Sequence, residues 1–388
     1  MRVAIVHPWF LAFGGAEQTV SALADIFPTA DIFTLYCDKK TLPANLRDRK
    51  FITSSLNRIP WRYTLYRHLL PIYPYFFESL DLRGYDLIVS SDSCLAKGII
   101  TDQDATHICY CHSPMRCLYD QYREYLEDLP PVVRSIFGFT SHYLRMWDFI
   151  AAQRVDLLIA NSKNVAHRIS TYYHAPSEVI YPPVQAQKGY IHPEPGDYFL
   201  TVGRLTTPKR VDLLIEACNR LKKRLIIVGS GRERRKLQSL AGETVHFEGY
   251  VTDEQLAELY ARCRAFLFAA DEDFGIVPVE AQSYGRPVIG YGHGGLLETV
   301  IEGTTGVFFK EQTVESVMEA ILHFETIEGT FHPNMIQRHA KEFDESLFKM
   351  RLREKSLSAM KKKASAPLVV WKRTRLAEET IEKKENVV

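Results

Sequence analysis

Short apolar runs of strand length alternate with stretches whose apolar residues recur at helical spacing, and this happens twice along the chain. That alternation restricts the possible folds more than any other feature. In the first half the runs are Val3 to Val6, Asp31 to Tyr36, Asp86 to Ser90, His107 to Cys111, Asp156 to Ala160 and Val179 to Tyr181. In the second half they are Tyr198 to Val202, Arg224 to Val228, Val245 to Phe247, Ala265 to Phe268, Pro287 to Gly290 and Gly306 to Phe309. Strands separated by helices imply parallel sheets with crossover helices. Between the halves, Pro182 to Gly196 carries Pro182, Pro183, Pro193 and Pro195 with little periodicity, as a hinge would. The expected class is α/β, with two Rossmann-like, doubly wound domains facing a cleft. The expected divisions are a first domain over 1–182, a linker over 183–197, a second domain over 198–345, and a helix with a basic tail over 346–388. The helical stretch from about Asn334 to Lys363 should pack outside the second sheet or return to the first domain.

Size and charge narrow the functional classes. A length of 388 residues suits two domains. With 48 basic and 47 acidic residues the net charge is +1, which argues against a nucleic-acid partner and requires any charged ligand to be met locally. The longest apolar run, near Leu69 to Phe77, is interrupted by Pro71 and Pro74, too early to span a bilayer. His7, Pro8 and Gly14-Gly15 likewise end the first apolar run too soon for a secretion signal, so a cytoplasmic chain is expected. Seven cysteines are too few for a disulfide scaffold. Cys109, Cys111, His112 and Cys117 lie close together, but no second cluster completes a metal site, so buried free thiols are the expectation.

Three stretches carry chemistry. After the first strand, Phe13-Gly14-Gly15-Ala16-Glu17 leads into a helical pattern; Gly14 and Gly15 would let the backbone approach a ligand, with free N–H groups behind them. The spacing is not that of a dinucleotide-cofactor loop, and a plain tight turn is the simpler alternative. The second domain opens with Gly203-Arg204 and then Pro208-Lys209-Arg210 before another helical pattern. Arg204 and Lys209 beside a helix start form a seat for a diphosphate, against the alternative of solvated surface cations. In Glu272-Asp273-Phe274-Gly275-Ile276-Val277-Pro278-Val279-Glu280, two carboxylates stand eight positions apart, one in a loop and one inside a helix. Pro278 is tolerated in a first turn, Gly275 and Ile276 offer N–H groups, and Glu272 and Glu280 accept from hydroxyls on either side of a bound phosphate. Glu280 sits among Val277, Val279 and Ala281, where burial without a partner is costly.

These stretches, with Gly285-Arg286-Pro287-Val288 and Gly294-Gly295, resemble the retaining glycosyltransferases of family 4 (group 1), which have the GT-B fold. The likeness runs from the first strand to about residue 355 in order and spacing. It implies a nucleotide-sugar donor held by the second domain and an acceptor bound by the first. It further implies that Glu272 holds donor-sugar hydroxyls, Glu280 the ribose, and Arg204 with Lys209 the diphosphate, with Gly14, Gly15, Phe274, Gly275 and Ile276 around the donor. His112, in Tyr110-Cys111-His112-Ser113-Pro114-Met115-Arg116, matches the histidine that lies beside the donor sugar in that family. Catalytic roles fall to His112 and Glu272, and neither a cofactor nor a metal is implied. Asn161-Ser162-Lys163 also matches, with capping of the next helix as its simplest role; Glu298 is read as structural.

Tyr110 to Arg116 resembles bacterial mannosyltransferases that use GDP-mannose more than glucosyl users, and the expected reaction is transfer to a lipid-linked or polysaccharide acceptor in cell-envelope glycan synthesis, the lipid acceptor being suggested by Ile59 to Phe77. Alternatives are a UDP-sugar-dependent transferase, a GT-B epimerase or phosphorylase, and a non-catalytic sugar-nucleotide-binding subunit. Ile59 to Phe77 mixes Trp61, Tyr63, Tyr66, Tyr73, Tyr75, Phe76 and Phe77 with Arg58, Arg62 and Arg67. Such a segment suits the anionic inner face of a membrane, although an aromatic stripe also suits a core. From Lys361 the tail holds eight basic and four acidic residues and is read as disordered or lipid-touching.

Overall fold

The computed structural model describes residues 1–60, 66, 68–127 and 129–365. Two parallel sheets form the two halves. The first contains β1 (Val3–Phe10), β2 (Asp31–Cys37), β3 (Phe51–Thr53), β4 (Leu87–Asp92), β5 (Thr106–Cys111), β6 (Leu157–Ala160) and β7 (Ser177–Val179) in the order β3-β2-β1-β4-β5-β6-β7. The second contains β8 (Tyr198–Val202), β9 (Arg224–Val228), β10 (Val245–Gly249), β11 (Ala265–Phe268), β12 (Val288–Tyr291) and β13 (Gly306–Phe309) in the order β10-β9-β8-β11-β12-β13. Every adjacent pair is parallel. In each sheet the winding reverses direction beside the first strand, and ligands of such sheets sit at that reversal, beyond the strand C-termini.

Period-2 alternation sets both cores. In β1, Val3 and Ile5 enter one apolar cluster while Ala4 and Val6 enter another on the opposite face. In the second sheet, Phe199, Leu225 and Ile227 face one way and Leu200, Ile226 and Val228 the other. Helices cover both faces, as all-parallel sheets require.

The chain crosses between the halves twice. Val184, fully buried in the linker, pairs with Asp344, and its N–H donates to the Phe343 carbonyl at 3.3 Å while its own carbonyl accepts from Glu345 N at 2.8 Å. The C-terminal helix Glu345–Ser365 then returns to the first domain, where Phe348 and Leu352 join the cluster of Val3, Ile5 and Leu23. The stretch from Asn334 to Lys363 thus takes both placements open from the sequence: the helix Pro333–Ala340 stays on the second domain, with Ile336 in its core, and Glu345–Ser365 returns to the first.

Two readings of the sequence are corrected. The strand β3 has no counterpart among the expected runs. The aromatic segment Ile59 to Phe77 is largely core where it is described: Tyr73 and Phe77, one turn apart on the helix Tyr73–Glu78, are both fully buried beside Phe33 and Tyr36. Tyr75 points outward; Trp61, Arg62, Tyr63 and Arg67 lie outside the described residues, as does the tail over 366–388. No helix among the described residues is long and apolar enough to cross a membrane. The cysteines are all free, and Cys109 and Cys111 are fully buried, as expected.

Candidate active site

A cavity of about 550 Å³ lies where the C-terminal ends of β1, β5, β8, β9 and β11 meet across the two sheets. His112, Gly14 and Gly15 line it from the first domain; Arg204, Lys209, Glu272, Phe274, Gly275, Ile276 and Glu280 line it from the second. All ten residues expected at a site therefore reach one cavity.

Its second-domain wall is shaped by backbone. Gly203 and Gly229 have φ of 155° and 124°, and a Cβ on Gly229 would lie 2.0 Å from the Gly203 carbonyl oxygen, so the end of β9 reaches the end of β8 only with glycine at 229. Thr207–Lys209 forms a 3₁₀ turn, and Arg210 follows in the left-handed region at φ 47°, which is unusual for a non-glycine residue. That kink separates the turn bearing Lys209 from the helix Val211–Leu221. Arg204 is exposed on the cavity wall. Burial, with Arg204 beside it, draws the Lys209 ammonium down to about 8. Asp273 opposes the shift, and Lys209 Nζ lies against the Glu272 carboxylate.

Gly275, at φ 86°, begins the helix Ile276–Ser283, and the helix carries Glu280. Burial pushes Glu280 up to about 7, while the Tyr260 hydroxyl donates to its Oε2 at 3.0 Å. Tyr260 is the partner that the apolar surroundings of Glu280 required. Phe274 borders the cavity, but its ring is claimed by the core: it is 3% exposed and packs 5.5 Å from Tyr181 and 5.6 Å from Phe343. Gly14, at φ −155°, is in ordinary extended backbone, so its conformation does not demand glycine. Gly15 is tighter, since a Cβ there would lie 2.8 Å from Ile276 Cδ1 across the cleft.

His112 ends β5. Its N–H donates to Asp92 O at 2.9 Å, and its Nε2 lies 2.8 Å from Ser91 Oγ, which is itself 3.2 Å from Nδ1 of the fully buried His7. Burial and the neighbouring His7 pull His112 down to about 4, so at neutral pH it is an uncharged imidazole.

Several participants were not anticipated. Arg116 Nη2 donates to Asp271 Oδ2 at 2.7 Å and Arg116 Nη1 to the Asp271 carbonyl at 3.0 Å, while Arg168 binds Asp273. Burial alone would raise Asp271, but the Arg116 and His293 bonds outweigh it and hold the carboxyl low. Glu298 spans the cleft, accepting from Lys163 N at 2.8 Å and Asn164 N at 2.9 Å. It thus caps the first-domain helix Lys163–Tyr173 from the second domain, alongside the expected cap, Ser162, whose Oγ accepts from Val165 N at 3.0 Å. Three consecutive carboxylates at 271–273 were the available sequence signal, because such a run calls for cations nearby.

Two family models match the chain: Glycosyltransferase Family 4 over residues 13–188 and Glycosyl transferases group 1 over residues 185–343. A GDP-mannose-dependent alpha-mannosyltransferase of Corynebacterium glutamicum is 35% identical over 127 residues, covering 31% of this chain and 30% of that protein. The alpha-1,3/1,6-mannosyltransferase ALG2 of Saccharomyces cerevisiae is 25% identical over 375 residues, covering 77% of this chain and 71% of its own. The solved structure of Anabaena HepE with UDP shares the fold at a TM-score of 0.68 and 19% identity, covering 92% of this chain and all of that one. The chain spans between 30% and 56% of the length of the first curated relatives it matches. The two family models abut at the linker and together take in both sheets and the cavity between them; the chain belongs to the group 1, family 4 glycosyltransferases and has the GT-B fold.

Proposed function

We propose that this protein is a retaining glycosyltransferase that moves mannose from GDP-mannose to a lipid-linked or polysaccharide acceptor of the cell envelope. One observation carries the reading: Arg204, Lys209, Glu272 and Glu280 from the second domain and the neutral imidazole of His112 from the first line a single cleft. Lys209 is paired with Glu272. A donor diphosphate would take over Lys209 and Arg204, leaving Glu272 to accept from sugar hydroxyls, while Glu280 faces the ribose. Fixed cations and helix-start N–H groups then stabilise the departing diphosphate, and Glu272 with His112 orients a sugar that develops positive charge. The acceptor hydroxyl approaches from the face of the leaving phosphate, whose oxygen takes its proton; no protein nucleophile and no metal is assigned a role.

The stretch matching the C. glutamicum enzyme favours GDP-mannose. The likeness to HepE, solved with UDP and with UDP-glucose, makes a UDP-sugar the second reading. Contact with an anionic membrane at the cytoplasmic face is supported by the helix Pro131–Gln153, whose Ile136, Phe139, Tyr143, Met146 and Ile150 are exposed at spacings of three and four residues. The test is a thermal-shift panel of GDP-, UDP- and ADP-sugars followed by transfer to a lipid-linked acceptor in anionic vesicles, with and without EDTA. A ligand at 100 times its Kd stabilises by about 2.7 kcal/mol. GDP-mannose should give the largest shift and EDTA should leave transfer unchanged. No shift with any sugar nucleotide would overturn the reading.

A further inference from the structure

The acidic run Asp271-Glu272-Asp273 is divided between the two domains. Glu272 faces Lys209 on its own side of the cleft. The residues on either side of it are gripped from the other side: Arg116 holds the Asp271 carboxylate and carbonyl, and Arg168 holds Asp273. The two arginines are joined to each other, since Arg116 Nε donates to Asp120 Oδ2 at 3.0 Å and Arg168 Nη2 lies 3.3 Å from the same oxygen. Arg168 Nη1 also donates to Ser113 Oγ at 3.0 Å, and Arg168 is only 8% exposed. Burial pushes the Asp273 carboxyl up and Arg168 opposes the rise. On its other side the loop rests on Gly294 and Gly295: a Cβ on Gly294 would lie 2.5 Å from the Glu272 carbonyl oxygen, and one on Gly295 would lie 2.3 Å from Phe274 Cα. The loop is therefore sandwiched between a glycine turn of its own domain and an arginine pair of the other.

We infer that Arg116 and Arg168, bridged by Asp120, are positioning residues that set the Glu272 loop from across the cleft. His112, Ser113 and Arg116 belong to one segment after β5, so the hold on Asp271 also fixes the distance between His112 and Glu272. When the domains part, the loop loses one of its two walls, and Glu272 and His112 lose their common frame together. The diphosphate seat, formed by Arg204 and Lys209 within the second domain, does not depend on this hold.

The inference rests on the donor reading above, and its test separates the two. The full-length protein is compared with Asp273→Asn, Arg168→Gln and their double variant, with Asp271→Asn as a second site should Asp273→Asn not fold. Expected is a fall in kcat of about 10- to 100-fold for each single variant, with unchanged affinity for the bare nucleoside diphosphate and loss of the extra affinity that the attached sugar confers. The double variant should cost no more than Arg168→Gln alone, because that change already removes the link to Asp273. Full turnover in Asp273→Asn and Asp271→Asn, or losses that add in the double variant, would overturn the inference. Solution scattering gives a readout independent of substrate: the variants should show a larger radius of gyration than the native chain, and equal radii would overturn the proposal. A native protein that binds no sugar nucleotide would instead count against the donor reading, leaving the scattering comparison to decide on the arginine pair.

Discussion

The two sheets wind in the same order from their first strand outward, yet their mouths are built from different materials. In the second domain, positive-φ glycines lie at or just beyond the strand C-termini, Gly203, Gly229, Gly249, Gly275 and Gly294, whereas among the described residues of the first domain the one such glycine, Gly84, precedes β4 at the far end of its sheet. The first domain shapes its mouth with buried polar side chains. Lys97, fully buried, donates to Asp92 Oδ2 at 2.9 Å and also to Asp148, which accepts from Tyr119 at 3.0 Å and Tyr173 at 2.8 Å. A mouth of bare backbone lets a polyanion lie against N–H groups. A mouth of interlocked side chains holds its shape whatever ligand is present. One side is thereby suited to gripping a nucleotide and the other to standing as a rigid wall.

The largest effect that would break this comparison is on stability. Lys97→Met leaves Asp92 and Asp148 buried without their cation and should cost about 3–5 kcal/mol in urea unfolding; a variant as stable as the native chain would show that the network carries no weight. Next comes Glu272→Ala, which should leave the melting temperature nearly unchanged but lower kcat about 100-fold; unaltered turnover would remove Glu272 from the chemistry. The smallest effect is on pH dependence, with opposite sign in the two domains. Burial depresses His107 and His112 from 6.5 to about 4, so their contribution to stability is complete above pH 6.5 and is lost as pH falls toward 4. Burial raises Glu280 from 4.5 to about 7, so its contribution is complete below 4.5 and is lost as pH rises toward 7. Urea unfolding across pH should therefore flatten on the acid side in His107→Asn and on the neutral side in Glu280→Gln. Unchanged profiles would reject both assignments.

What could be read from the sequence follows from the range of the interactions involved. Buried parallel strands announce themselves as local apolar runs, so twelve of the thirteen strands among the described residues were visible, several to the residue, as with Tyr198–Val202 and Ala265–Phe268, and β7 only by its last residue, Val179. The missing strand, Phe51–Thr53, has three residues at a sheet edge, none of them fully buried, and so leaves no apolar run. The donor-side residues were legible because each lies beside a turn that glycine or proline marks. The contacts of Arg116 with Asp271, Arg168 with Asp273 and Lys97 with Asp148 were not, since those partners stand 51 to 155 positions away and no local pattern couples them. The aromatics near Tyr73 were left undecided for a related reason: alternating rings and arginines describe a membrane surface and a core equally well until the fold shows which rings meet Phe33 and Tyr36.

The returning helix Glu345–Ser365 has a consequence for the order in which the molecule is made. Phe348 and Leu352 complete a cluster whose other members come from the first 180 residues of the chain. During synthesis the half that leaves the ribosome first must therefore wait, one apolar face uncovered, until the whole of the second half has followed it. The second sheet needs no such delay: its strands and both of its apolar clusters lie within one continuous stretch. The domain begun first is finished last, and its final piece arrives only after its neighbour has had time to fold.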